Sequence, residues 1–433
     1  MTAHRWLKLA VLGALVAAAA TLAAAAIGAT GKGVPADFKP YDGTPEFTAQ
    51  GGVDPQFLTG ARTIPHWTFK YSDPQTNVTY PITMVGSDPR QGGSTTVKTV
   101  IVPLKMNFVA GNQDTSILNA WYGNGFVADK VAATFDGTTA ASKVLASPIF
   151  SSYKQPTDMG GNTAQYGDAF MRAQFNKIGS SYHVKLDNVK TFPTVTIDVP
   201  QNQGVAYHRP AGALAGIADY KWFSAQLQNL INQLQIDPTT VPIFLTDQVL
   251  LYDGNDYRNC CVLGYHGAAM PVGLGGGSAN GNGNNPVQTF IYAAYAHPNT
   301  YSGFTTPNGT LPNRGIADVH GLSHEVAEWL DDPFINNAVQ PWLTPTAPQY
   351  GCTGVLETGD PVVGVWYPLP GNAEAGYNGV WHPEDEVFLN WFARNGQPAS
   401  LSPWKASYFT FMGPRTTSIG GPFAAFGSVA TGC

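Results

Sequence analysis

The residues best suited to chemistry stand in one short run, Asp318-Val-His320-Gly-Leu-Ser-His324-Glu325-Val-Ala-Glu328-Trp-Leu-Asp331-Asp332-Pro333. His320, His324 and Glu328 follow one another at intervals of four, and Glu325 comes directly after His324. On a helix, positions i and i+4 lie one above the other, so these three form a polar column with Glu325 about 100° round from His324. Two ligands one turn apart, with a glutamate after the first, is how His-Glu-x-x-His helices hold zinc and present a general base. Here a carboxylate, Glu328, fills the second ligand position.

The column cannot serve a single ion whole. His320 and Glu328 are about 12 Å apart along the axis, a span that bonds of about 2 Å and two side chains barely close. With His320 and His324 as ligands, the base position falls on Gly321, which has no acid–base group. With His324 and Glu328 it falls on Glu325, so catalysis prefers the second pair and His320 stays a neighbouring candidate ligand.

Zinc catalysis needs a third protein ligand and an open position. The stretch Cys352-Thr-Gly354-Val-Leu-Glu357-Thr-Gly359-Asp360-Pro361 offers Glu357 or Asp360, with glycines that let the chain pass close to a site. His266, after Gly264-Tyr265, is a candidate for steadying a tetrahedral intermediate or for a ligand role. Hard oxygen donors widen the choice of ion from Zn2+ to Mn2+ or Ca2+. The competing reading is a solvated helix face, where charges at i, i+4 are common. Only 12% of the residues are of charged types, so a cluster this dense stands out. His382-Pro383-Glu384-Asp385-Glu386 reads as the first turn of a helix running to Phe392, its acids facing the helix dipole.

A metal helix needs an apolar side and a surface to lie on. Leu322, Val326, Trp329 and Leu330 recur at helical spacing opposite the polar column, and Pro333 closes the helix. Ahead of it, Val241 to Tyr252 and Val287 to Ala296 read as strands, separated by the Gly/Asn stretch Gly273 to Asn285, too poor in apolar residues to join a core. Ile217 to Leu234 is an amphipathic helix starting near Asp219. Earlier come a hairpin (His66 to Tyr71, Val78 to Met84), a long strand (Thr95 to Phe108), helical patterns over 127–134, 140–148 and 163–178, and strands at His183 to Leu186 and Thr194 to Val199. The class is α+β, with a β-rich region over 30–160 and a lobe over 161–433 whose metal-site helix lies on a mixed sheet.

Composition bounds the partners. A net charge of −6 without a Lys/Arg run argues against nucleic acid or an anionic membrane. Residues 1–29 read as an export signal: Arg5 and Lys8, an apolar run, and the small residues Ala24 to Ala26. A signal anchor is the alternative, since the run nears membrane-spanning length; cleavage leaves a secreted or periplasmic product with no membrane span. Cys260, Cys261, Cys352 and Cys433 suit export and allow three pairings, of which the vicinal one is strained.

The segment Leu322-Ser-His-Glu-Val-Ala-Glu328, then Asp331-Asp-Pro, then Glu357-Thr-Gly-Asp360, resembles the exordium-like (phosphate-induced protein) family and its exported bacterial relatives. Gly264-Tyr265-His266 is similar to the same group, and the resemblance covers about residues 240–395. It implies export and a zincin-like site more than a particular reaction. The expected function is an exported metal-dependent hydrolase, most simply a peptidase. His324, Glu328 and Glu357 or Asp360 would hold the ion, Glu325 would act as base, and the substrate would be an extracellular protein or polysaccharide. The alternatives are a non-catalytic envelope or carbohydrate-binding protein with a structural ion, and a glycosidase built on Glu325 and Glu357.

Overall fold

The computed structural model describes residues 58–73, 76–109, 132–208, 214–253, 260–269, 286–297, 305–306, 309–310, 316–343, 352–371, 379–393, 409–418 and 421–422. The export-signal region, the Gly273 to Asn285 stretch and Cys433 lie outside these residues.

An antiparallel hairpin, β1 (His66–Ser72) and β2 (Thr79–Val85), leads into β3 (Ser94–Phe108), whose 15 residues make it the spine of the fold. After β3 come β4 (Ala133–Asp136), α1 (Gly137–Ala146), α2 (Tyr166–Gln174), β5 (His183–Thr191) and β6 (Val195–Val199). Because β3 is so long, two strands share each of its edges. β5 and β6 run parallel along one edge, pairing from Ser94↔His183 to Phe108↔Val199 with a register shift between Lys98 and Val100. The β4 strand takes the far end of the other edge, antiparallel, with Met106 opposite Phe135. Helix was expected over 127–134; residues 127–131 are not described, and Ala133 onward is this strand. Alternating burial along Ala133-Thr-Phe-Asp136 explains why period 2 prevails there.

The chain continues through β7 (Gly204–His208), β8 (Leu214–Asp219), α3 (Tyr220–Leu234), β9 (Thr240–Asp247), β10 (Val249–Tyr252), β11 (Cys260–Val262), β12 (Gly264–Ala269) and β13 (Gln288–Tyr295). β9 joins β3 in parallel, β13 joins β9 in parallel, and β12 closes the edge antiparallel to β13. The result is a mixed seven-stranded sheet that takes strands from both sides of residue 160, so the sheet has no break there. A second sheet runs in the order β11-β10-β8-β7. The strand expected over Val241 to Tyr252 is thus two strands in two sheets. Gln248, with φ of +60°, divides them: its N–H donates to Tyr295 of the first sheet and its carbonyl accepts from Gly216 of the second.

Both faces of the large sheet are covered, which suits its nearly continuous apolar strands. Val102, Leu104, Phe244, Tyr265 and Tyr292 share a core with Phe223, Leu227 and Ile231 of α3. On the other face Ile101, Ile243, Leu245, Ile291 and Ala293 share a core with α1, α2 and α4 (His320–Asp331). Strand alternation does the rest: with Tyr265 turned towards α3, His266 turns towards α4. The fold is therefore α+β and rich in strands. No helix among the described residues is long and apolar enough to cross a membrane. Cys352, which opens β15 (Cys352–Val355) opposite β14 (Ala338–Leu343), is disulfide-bonded; its possible partners' side chains are outside the described residues.

Candidate metal centre

α4 runs from His320 to Asp331 and stops before Pro333, as the spacing predicts. Its apolar residues Leu322, Val326, Trp329 and Leu330 are buried in the sheet-facing core. The polar column is buried too: His320, His324, Glu325 and Glu328 each have 0% exposure. A solvated face is therefore excluded. Such a density of ionisable groups out of water is costly unless charge is balanced within the cluster.

Glu328 sits at its centre. Its Oε1 lies 3.2 Å from His324 Nε2 and accepts from the Gly359 N–H at 3.1 Å. Its Oε2 lies 3.8 Å from His266 Nδ1 and has no hydrogen-bond partner. His266 Nδ1 is 3.2 Å from Glu325 Oε2, while Glu325 Oε1 is buried without a partner. Asp360 Oδ1 stands 3.6 Å from His324 Nε2, and Glu357 lies close enough to Glu328 for the two carboxyls to shift each other's protonation. Donor atoms converge in two sets, each mutually within 4.8 Å: His266, Glu325 and Glu328, and His324, Glu328 and Asp360. Both sets offer imidazole and carboxylate, a combination that holds divalent ions, so these buried groups could bind a metal.

Two glycines make the crowding possible. A Cβ at Gly359 would come within 2.3 Å of His324 Nδ1, and one at Gly264 within 2.5 Å of Glu325 Cγ. Of the two glycines anticipated as close-approach points, Gly359 serves that purpose, whereas a Cβ at Gly354 would meet only the Val339 carbonyl oxygen at 3.5 Å, an ordinary contact. Asp360, at 14% side-chain exposure, is the least buried member of the two sets.

His320 belongs to neither set. Its Nε2 faces Glu384 Oε1 at 3.2 Å, and Glu384 Oε2 lies 2.8 Å from His324 Nδ1. Glu384 is the residue that sequence reasoning missed. The run 382–386 is not the opening of a helix: it is extended and buried, bridged at Trp366↔Glu384, and helix begins only at α5 (Leu389–Phe392). Each polar group there has an inward partner. His382 Nδ1 meets Asp318 Oδ2 at 2.5 Å, Glu386 Oε1 lies 2.7 Å from the Tyr166 hydroxyl, and Asp385 accepts from the Met412 N–H. The available signal was the apolar residues on both sides, Val380-Trp381 and Val387-Phe388-Leu389, which suit a buried extended run better than a solvated helix start.

The cluster's protonation follows from burial and neighbours. Burial pushes the Glu325 carboxyl up, and the Glu328 charge adds to this. Glu357 is likewise raised by burial, then by Glu328 and Asp360. Glu328 is penalised by burial, but the His324 cation outweighs this and lowers it. Burial also opposes charge on His324, and there Glu328 and Glu384 win and raise it. His266 is lowered to about 4 by burial, which keeps it neutral. Compared with protein-family models, curated proteins and solved structures, the chain matches none of them.

Proposed function

We propose that the chain is an exported metal-dependent hydrolase of peptidase type, similar in its site to the zincins and carrying an exordium-like motif. Glu325 carries this reading: a buried carboxylate with one oxygen unpartnered, one residue from His324 and beside Glu328. His324, Glu328 and Asp360 would hold the ion, with the buried Glu357 beside Glu328. A bound divalent ion would supply Lewis acidity to a carbonyl and lower the pKa of a water to about 7.

The chain's own groups do the rest. Glu384 holds His324 by Nδ1, so that Nε2 faces Glu328 and Asp360. Glu325 is placed to accept a proton and return it to a leaving amine, and neutral His266 keeps it in position. With one imidazole and two carboxylates, the donor set is harder than that of a two-histidine zinc helix and admits Mn2+ as well as Zn2+.

Metal content and hydrolysis of a peptide library test the reading together. The wild-type chain is expected to hold Zn2+ or Mn2+ and to cleave peptides, and His324→Ala to lose the ion bound at His324. Glu325→Gln is expected to keep the ion at His324 and lose at least 100-fold in turnover, the lower end of a general-base contribution of about 10²–10⁴. A second reading, a structural ion in a non-catalytic exported protein, is favoured by the near-complete burial of the donors. An ion retained with no cleavage of any library member decides for it.

A further inference from the structure

Glu328 is approached from two sides by imidazoles whose outer nitrogens are already engaged. On one side His324 presents Nε2 to Glu328 Oε1 at 3.2 Å, with Nδ1 held by Glu384 at 2.8 Å. On the other, His266 turns Nδ1 towards Glu328 Oε2 at 3.8 Å and Glu325 Oε2 at 3.2 Å, with Nε2 3.2 Å from the Asp332 carbonyl oxygen. A carbonyl can only accept, so in neutral His266 the proton sits on Nε2 and Nδ1 aims a lone pair at two carboxylates. With both carboxyls ionised, three acceptors face one another, and Glu325 Oε1 and Glu328 Oε2 are buried without a hydrogen-bond partner. A positive charge is what the arrangement lacks. Metal-binding histidines are typically held in this way, the outer N–H on a carbonyl or carboxylate and the inner nitrogen towards the ion.

We infer that His266 Nδ1, Glu325 and Glu328 hold a second divalent cation, with the Glu328 carboxylate bridging it to the ion held by His324, Glu328 and Asp360. The inference rests on the single-ion reading above and extends it to a two-ion centre. The donors of that centre come from three separate stretches of chain: β12, α4 and the 3-10 turn Asp360–Val362. In the doubly loaded protein Glu325 is a ligand, and its free proton-accepting role belongs to the singly loaded form. A pair of ions would both lower the pKa of a water and polarise the carbonyl that it attacks, as hydrolysis of an amide requires.

The test is stoichiometry. The full chain is stripped with a chelator, dialysed against Mn2+ and assayed for metal per chain, with electron paramagnetic resonance of the loaded protein. Two ions per wild-type chain and an exchange-coupled spectrum are expected. His266→Ala and Asp360→Asn should each fall to one ion with the spectrum of an isolated Mn2+. One ion per wild-type chain with an uncoupled spectrum overturns the second site and leaves the single-ion reading standing. No ion at all overturns both. Should a variant fail to fold, wild-type stoichiometry and spin coupling still decide.

Discussion

At the scale of single residues, the candidate centre depends on space as much as on donors. Gly359 is the clearest case, because a Cβ there would lie 2.3 Å from His324 Nδ1 and 2.5 Å from Cε1. Gly359→Ala is therefore expected to displace the imidazole and abolish metal uptake at His324, checked by equilibrium dialysis, while far-ultraviolet circular dichroism stays that of the wild type. Glu384 acts through His324 rather than on an ion. Replacing such an outer partner usually costs 10–100-fold in affinity, so Glu384→Gln should weaken metal binding by about that factor. Titration with a competing chelator measures it; wild-type affinity in Glu384→Gln would mean that the His324–Glu384 contact does not orient the ring.

Elements fix where those residues meet. The C-terminal end of α4 is tied to the hairpin by Asn337, which is 1% exposed. Its Oδ1 accepts from the Thr83 N–H at 2.7 Å, and its Nδ2 lies 2.8 Å from the Thr83 carbonyl and 2.6 Å from that of Asp331. Removing the amide leaves buried backbone groups unpaired, each costing about 1–3 kcal/mol. Asn337→Ala should therefore destabilise the chelated protein by about 2–4 kcal/mol, read as a lower denaturant midpoint with unchanged slope.

Legibility also differed by element. α4 could be read from the chain because a strong apolar period and a terminal proline specify it locally, and α3 because Asp219 caps it by accepting from the Trp222 N–H. The division at Gln248 could not, since its positive φ is held by bonds to two different sheets. Glu384 was hidden for another reason: Pro followed by acids has the same composition whether it starts a helix or lines a buried cluster. His266 was recognisable as a candidate, but its meeting with Glu325, 59 residues away, is set by β12 pairing with β13 beneath α4.

For the molecule as a whole, the buried acids should govern how stability changes with pH. Burial raises Glu325, Asp331, Glu357 and Glu386, and pushes Asp332 up to about 7. Unfolded carboxyls titrate near about 4, so above that the metal-free native state binds more protons than the unfolded chain. Their contribution is complete at the acid end and is lost as pH rises through their raised values, which for Asp332 is about 7. His266, lowered to about 4, and Glu328 and Glu384, lowered by the neighbouring histidines, oppose this trend at the acid end. The metal-free protein should melt at a lower temperature at pH 8 than at pH 5.5. With excess Mn2+ the order should reverse, because ligands must lose protons to bind. Melting curves at both pH values, with chelator and with Mn2+, check it; a chelated protein that gains stability towards pH 8 would contradict the assignment.

The depth of Glu328 carries a consequence for time rather than affinity. An ion seated between α4 and β12 has to leave past Asp360, the only partly exposed donor of the two described sets, or wait for the surrounding structure to part. Release would then keep its own tempo, and adding more scavenger to the solution would not hasten it. If the chain is the exported metalloprotein proposed above, it would carry its charge of metal from where it folded.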